Sequence, residues 1–121
     1  MRVFKIDSAN PKNKSELILN NVIIANDFFT KLFGLIFKRK LKKDAGFLIE
    51  YCNSIHTFGM RYSIDVVFLN EDNEIVSIFR KLKPFRITPF IKEAKKVLEL
   101  RSGICNIFSL EDGNLLYFKE D

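Results

Sequence analysis

The 121 residues contain no tryptophan, one histidine and two cysteines, with three prolines, five glycines and two methionines. Each scarcity excludes something. Cys52 and Cys105 stand far apart with no CxxC pair, and His56 is the only imidazole, so a zinc site lacks soft ligands and no metal or other cofactor is expected. No window reaches the roughly 18–20 apolar residues of a membrane-spanning helix, since Phe28 to Phe37 is interrupted by Thr30, Lys31 and Gly34. The opening Met1-Arg2-Val3-Phe4-Lys5-Ile6-Asp7 has neither an apolar export segment nor a small-residue cleavage site. A cytoplasmic location is therefore expected, with both cysteines unbridged and buried in apolar company. Phosphate-binding loops, GxSxG elbows and nucleophile triads are missing too.

What is present suits one globular domain spanning residues 1–121, with 47% hydrophobic and 29% charged residues and a core driven by 13 phenylalanines. The net charge of +5 is unevenly placed: the first 60 residues hold ten basic and five acidic side chains, and the remainder is balanced. Lys31, Lys38, Arg39, Lys40, Lys42 and Lys43 form a run without acids, and Arg80, Lys81, Lys83, Arg86, Lys92, Lys95, Lys96 and Arg101 form a second basic stretch. Such patches attract phosphate without reading sequence, although lysine-rich surfaces are commonly just solvated.

Short β-type segments divided by turn signals dominate the chain. Leu17 to Ala25 reads as one or two strands with a bulge or turn at Asn20-Asn21, and Gly46 to Cys52 as another. Ile55 to Phe58 is a short apolar piece. Ile64 to Leu69 and Glu74 to Phe79, joined by Asn70-Glu71-Asp72-Asn73, form the best hairpin. Val97 to Leu100 follows, and then Leu115 to Phe118 behind the turn dipeptide Asp112-Gly113. Helical spacing is clear only at Phe28, Phe29, Leu32, Phe33, Leu35 and Ile36, behind the N-cap Asp27; Ile104 to Leu110 is a weaker helix. Pro84 and Pro89 bound an irregular connection that is a poor central strand. Many strands without a βα rhythm predict a mainly β protein, a small antiparallel sandwich or barrel of jelly-roll type with one or two short helices. Ile64 to Leu69 is apolar on both faces apart from Asp65, as a central strand would be.

The segment Ile55-His56-Thr57-Phe58-Gly59-Met60-Arg61-Tyr62-Ser63-Ile64-Asp65-Val66-Val67-Phe68-Leu69 closely resembles the family known as domain of unknown function 192. Further landmarks of that family occur in order: Ala25, Gly34-Leu35, Gly46 before a strand, Pro84, and Val97-Leu98-Glu99-Leu100 followed by Gly103. The resemblance runs from about Leu17 to Phe118 and implies a small, mainly β protein of sandwich or jelly-roll type with no agreed activity. This chain departs from the pattern at Lys31, where the family usually has Arg, at Ser63 and Arg101, where it has Pro, and at Asn114, where it has Asp. A role needing the bidentate fork of that Arg is not carried over.

Few residues are left to carry chemistry. His56 must supply any imidazole acid or base, and Cys52, four residues upstream, lies roughly 13 Å away along an extended strand, too far for a dyad. Asp65 shares a strand face with Val67 and Leu69, so it needs a partner such as Arg61, His56 or Arg80. Glu99 alternates with Leu98 and Leu100 and would face solvent on spacing alone; the resemblance raises its standing as a site residue. Phe58 and Met60 fall on the face of His56 if that segment is extended, a mixture typical of small ligand pockets and of core edges alike.

Three functional readings follow. The leading one is a β domain that binds a small molecule or saccharide-like ligand in a cleft lined by His56, Met60, Arg61, Asp65 and Glu99. The second is an enzyme pairing His56 with Asp65 or Glu99 for acid-base work. The third, binding of nucleic acid or an anionic surface through Lys38 to Lys43 and Arg80 to Lys96, ranks last because aromatic residues are not regularly interleaved with the basic ones.

Overall fold

A computed structural model describes residues 1–6, 14–25, 41–58 and 60–121. These residues form β1 (Arg2–Ile6), β2 (Ser15–Leu19), β3 (Asn21–Ala25), β4 (Ala45–Glu50), β5 (Ile64–Leu69), β6 (Ile75–Leu82), β7 (Lys96–Arg101), α1 (Ile104–Ile107) and β8 (Leu115–Lys119). The strands make two sheets, one ordered β2-β1-β8 and one ordered β3-β4-β7-β5-β6, in a sandwich-like arrangement. The expected helix behind Asp27 and residues Lys38 to Lys40 of the basic run lie outside the described residues.

The apolar run Leu17 to Ala25 resolves into two strands in different sheets. The break falls at Asn20, where the amides of Asn20 and Asn21 both donate to the Asp44 carbonyl, at 2.8 and 3.1 Å. Between the sheets lies one core, drawn from Val3, Leu19, Val22, Leu48, Val67, Leu98, Leu100 and Leu116. A second core of Phe47, Ile49, Ile64, Val66, Phe68 and Val97 covers the far face of the larger sheet, under Leu41, Ile55, Met60 and Ala94. Both faces of that sheet are thus buried, which is why β5 lacks the polar alternation of a half-exposed strand and is buried throughout. Leu41 is buried, whereas Lys42 and Lys43 beside it face water.

The predicted hairpin is present as the antiparallel β5–β6 pair. Its turn is held by the Asn70 side chain, whose Oδ1 accepts from the amides of Asp72 and Glu74 at 2.9 and 3.0 Å, in the manner of an Asx turn. The mainly β sandwich is present as expected, and one of its strand pairs departs from the antiparallel pattern. β3 and β4 run parallel, with Asn21 opposite Ala45 and Ala25 opposite Ile49. Gly46 marks a close approach, since a Cβ there would lie 2.8 Å from Leu19 Cδ1 and 3.3 Å from the Glu99 carbonyl oxygen. No helix among the described residues is long and apolar enough to cross a membrane.

Candidate functional site

β7 carries Glu99 into the second core rather than into solvent, which corrects the reading from spacing. Its register partners are Phe47 on β4 and Val66 on β5, both buried. Glu99 does alternate with Leu98 and Leu100, but a second layer covers its face, and it is only 3% exposed. Burial raises its carboxyl pKa to about 8, so at neutral pH it is largely an uncharged acid that can both donate and accept a hydrogen bond. Tyr62 joins it from the segment before β5, half-buried, its phenol raised by burial and then by Glu99.

Met60 is buried in the same core as Phe47 and Val66, so the structure brings it to the face that bears Glu99. His56 and Arg61, from the same segment, are exposed. The His56 ring stacks on Phe58 with centroids 5.3 Å apart and planes at 29°. Among the described residues no ion pair joins His56 to a carboxylate, so the acid-base pairing of the second reading is not formed.

Asp65 is fully buried but belongs to the opposite face. It stands across from Leu100, one residue out of phase with the Val66–Glu99 pair, and so turns toward the inter-sheet core. The expected cationic partners are corrected as well, because backbone amides fill the carboxylate. Lys81 N–H donates to Oδ1 at 2.9 Å, and the amides of Gly103 and Cys105 donate to Oδ2 at 3.1 and 2.9 Å. The first of these depends on a β-bulge: Ile64 faces Leu82 and Val66 faces Phe79, so Arg80 and Lys81 both oppose Asp65. Lys81 has φ 51° there. The other two amides belong to the start of α1, whose exposed donors Asp65 satisfies from a neighbouring strand. Arg80 turns elsewhere, to Asn106 Oδ1 at 2.9 Å and the Leu110 carbonyl at 2.6 Å.

The cysteines are unbridged, as expected, and Cys105 is buried, its thiol pushed up by burial and by the neighbouring Asp65, with which it hydrogen-bonds. Cys52 is corrected to half-exposed; it lies beyond the end of β4, where its thiol donates to the Ser54 carbonyl at 3.0 Å. Among the described residues no three His, Cys, Asp or Glu side chains gather to hold a metal.

Tyr62 is the site residue that sequence reasoning passed over. Its signal was available: a polar-tipped aromatic three residues before the buried Asp65, in a chain with only three tyrosines. The buried threonines Thr57 and Thr88 were missed as well, and nothing local marks them.

Comparison with known proteins gives a consistent picture. The sequence model of the DUF192 family, described as uncharacterized ACR, matches residues 9–118. A UPF0127 protein of Pyrococcus furiosus is 34% identical over 107 residues, covering 85% of this chain and 90% of the relative. Another, from Pyrococcus abyssi, is 31% identical over 106 residues, with coverage of 85% and 90%. Two crystal structures share the fold at TM-score 0.81. One, a candidate transcription regulator from Sinorhizobium meliloti 1021, is 23% identical and covers 96% of this chain and 91% of its own. The other, a protein of unknown function from Novosphingobium aromaticivorans DSM 12444, is 14% identical, with coverage of 98% and 84%.

Proposed function

The chain belongs to the DUF192 family, which is uncharacterised, and from its own geometry we propose that it binds a small uncharged polar ligand, saccharide-like in its hydroxyl content, through Glu99 and Tyr62. One observation carries the reading: a carboxyl group 3% exposed on an otherwise apolar sheet face, with a phenol beside it. Burying a carboxyl group is costly, and convergent polar groups in an apolar surround are how small-ligand sites are commonly built. Met60 supplies a soft apolar wall, and His56 and Arg61 form the exposed rim of the same segment. Asp65 is left out of the ligand set, because its oxygens already serve three amides across the sheet.

The chemistry narrows the ligand class. With Glu99 held as an acid at neutral pH, the pair offers hydrogen-bond donors and acceptors but no net charge, which favours hydroxyl or amide groups over carboxylates and phosphates. Heteronuclear NMR with a mixture of neutral saccharides, polyols and amides provides the test. Resonances of residues 60–66 and 97–101 should shift with at least one component in the wild type, and the shifts should vanish in Glu99→Gln and Tyr62→Phe chains that retain the native spectrum. An unresponsive wild type, or the same response in both variants, would overturn the proposal.

A further inference from the structure

Residues 53–57 and 85–91 run antiparallel outside the named strands and form a narrow ribbon. Thr57 N–H donates to the Arg86 carbonyl at 2.8 Å, Thr88 N–H to the Ile55 carbonyl at 2.9 Å and Ile91 N–H to the Asn53 carbonyl at 2.9 Å, and His56 bridges Ile87. Two buried threonine hydroxyls rivet it. Thr57 Oγ1 donates to the Lys83 carbonyl at 2.7 Å and accepts from Arg86 N–H at 2.8 Å, while Thr88 Oγ1 accepts from Ile55 N–H at 2.9 Å. Ile55, Thr57 and Thr88 are buried beneath the ribbon, and His56, Phe58, Phe85 and Ile87 are left at the surface.

The outer face is a row of rings. His56 stacks on Phe58, and Phe58 meets Phe85 with centroids 6.4 Å apart. Phe85 is 67% exposed and has φ 60°, a left-handed backbone that costs a non-glycine residue energy and here accompanies a phenylalanine held in water. Along the two segments the charge has one sign up to Lys92, with Glu93 next in sequence. Residues 51–64 and 75–92 contain no Asp or Glu before Asp65, yet hold six Lys and Arg. All six are exposed, and among the described residues none of them enters a salt bridge.

We propose that this ribbon face is a docking platform for single-stranded nucleic acid, with bases stacking against the Phe58 and Phe85 rings beside His56 and phosphates paired to Arg61, Lys83 and Arg86. Aromatic residues and cations that are scattered along the sequence come together in the fold. That combination of stacking rings and basic flanks is what strand binders use without reading sequence. A duplex hides its base faces from such a row, which leaves the rings without stacking partners there. The polar imidazole within the row suits heteroaromatic planes better than acyl chains. The inference does not depend on the Glu99 reading, which concerns the layer beneath the ribbon.

Fluorescence anisotropy tests it with labelled poly-dT and poly-U strands of about a dozen nucleotides, a matched duplex, and vesicles with and without phosphatidylserine. The wild type should bind single strands more tightly than duplex, and three phosphate contacts should weaken binding roughly tenfold or more between about 50 and 200 mM salt. Phe85→Ala and Phe58→Ala should each cost roughly tenfold, and a Lys83→Gln, Arg86→Gln chain should show a flatter salt dependence. All of these positions are exposed, and unchanged melting curves would establish that the variants are folded. Absence of strand binding at about 50 mM salt, indifference to the aromatic substitutions, or binding to phosphatidylserine vesicles but not to strands would overturn the proposal.

Discussion

Replacing Glu99 by Gln should flatten the dependence of stability on pH between about 5 and 9. Burial lifts the carboxyl from its ordinary value of 4.5 to about 8, so between these values the folded chain keeps a proton that the unfolded chain has released. The native state binds more protons across that window, and stability therefore falls as pH rises through it. The stabilising share is fully present below about pH 4.5 and is lost by about pH 8. At about 1.4 kcal/mol per unit, the full shift corresponds to a loss on the order of 5 kcal/mol, an upper figure because water entering near an ionised carboxylate would relieve it. Urea titrations at pH 5, 6, 7, 8 and 9 should show the wild type losing at least about 2 kcal/mol across the range. The Glu99→Gln chain should be nearly flat over the same range and more stable than the wild type above pH 8. Parallel profiles for the two proteins would refute the reasoning and place the Glu99 carboxylate in contact with water or a cation.

Asp65→Ala leaves three amide donors without their acceptor at the bulge and the start of α1, so it should cost about 3 kcal/mol in chemical denaturation; a loss below about 1 kcal/mol would mean that water replaces the carboxylate. A thiol reagent should modify Cys52 in the native protein and Cys105 only after unfolding, and simultaneous reaction of both would contradict the burial of Cys105. Gly46→Ala must displace Leu19 or part β4 from β7, and should lower stability by about 1–3 kcal/mol, read as a fall in melting temperature.

Much of the fold was legible because hydrophobic pattern dictates it. The unbroken apolar strand Ile64 to Leu69 could be stable only with both faces covered, and Asn70 to Asn73 carries the chemistry of its own turn. The burial of Asp65 was legible for the same reason. Its partners were not, because backbone amides brought round by a bulge and a helix start have no signature in side-chain identity. Glu99 was misread because alternation tells one face from the other without saying whether water or a second layer lies beyond. The ring row of His56, Phe58 and Phe85 depends on pairing between segments about thirty residues apart, fixed by two threonine hydroxyls on main-chain groups. Neither threonine stands out in the sequence.

The position of β1 bears on the order in which the protein assembles. It begins at residue 2 yet lies between β2 and β8, with Arg2 opposite Lys119 and Ile6 opposite Leu115. A chain leaving the ribosome delivers β1 ahead of β2 and β8 only after the strands of the larger sheet, so the smaller sheet stays open on one side until residues 115–119 emerge. Until β8 arrives, Val3 and Leu19 have only part of their cover, and an unpaired strand edge faces the surrounding solution. Contacts of such long sequence separation form slowly. Refolding should therefore be limited by the docking of residues 115–119, and a chain halted before them should be the aggregating species.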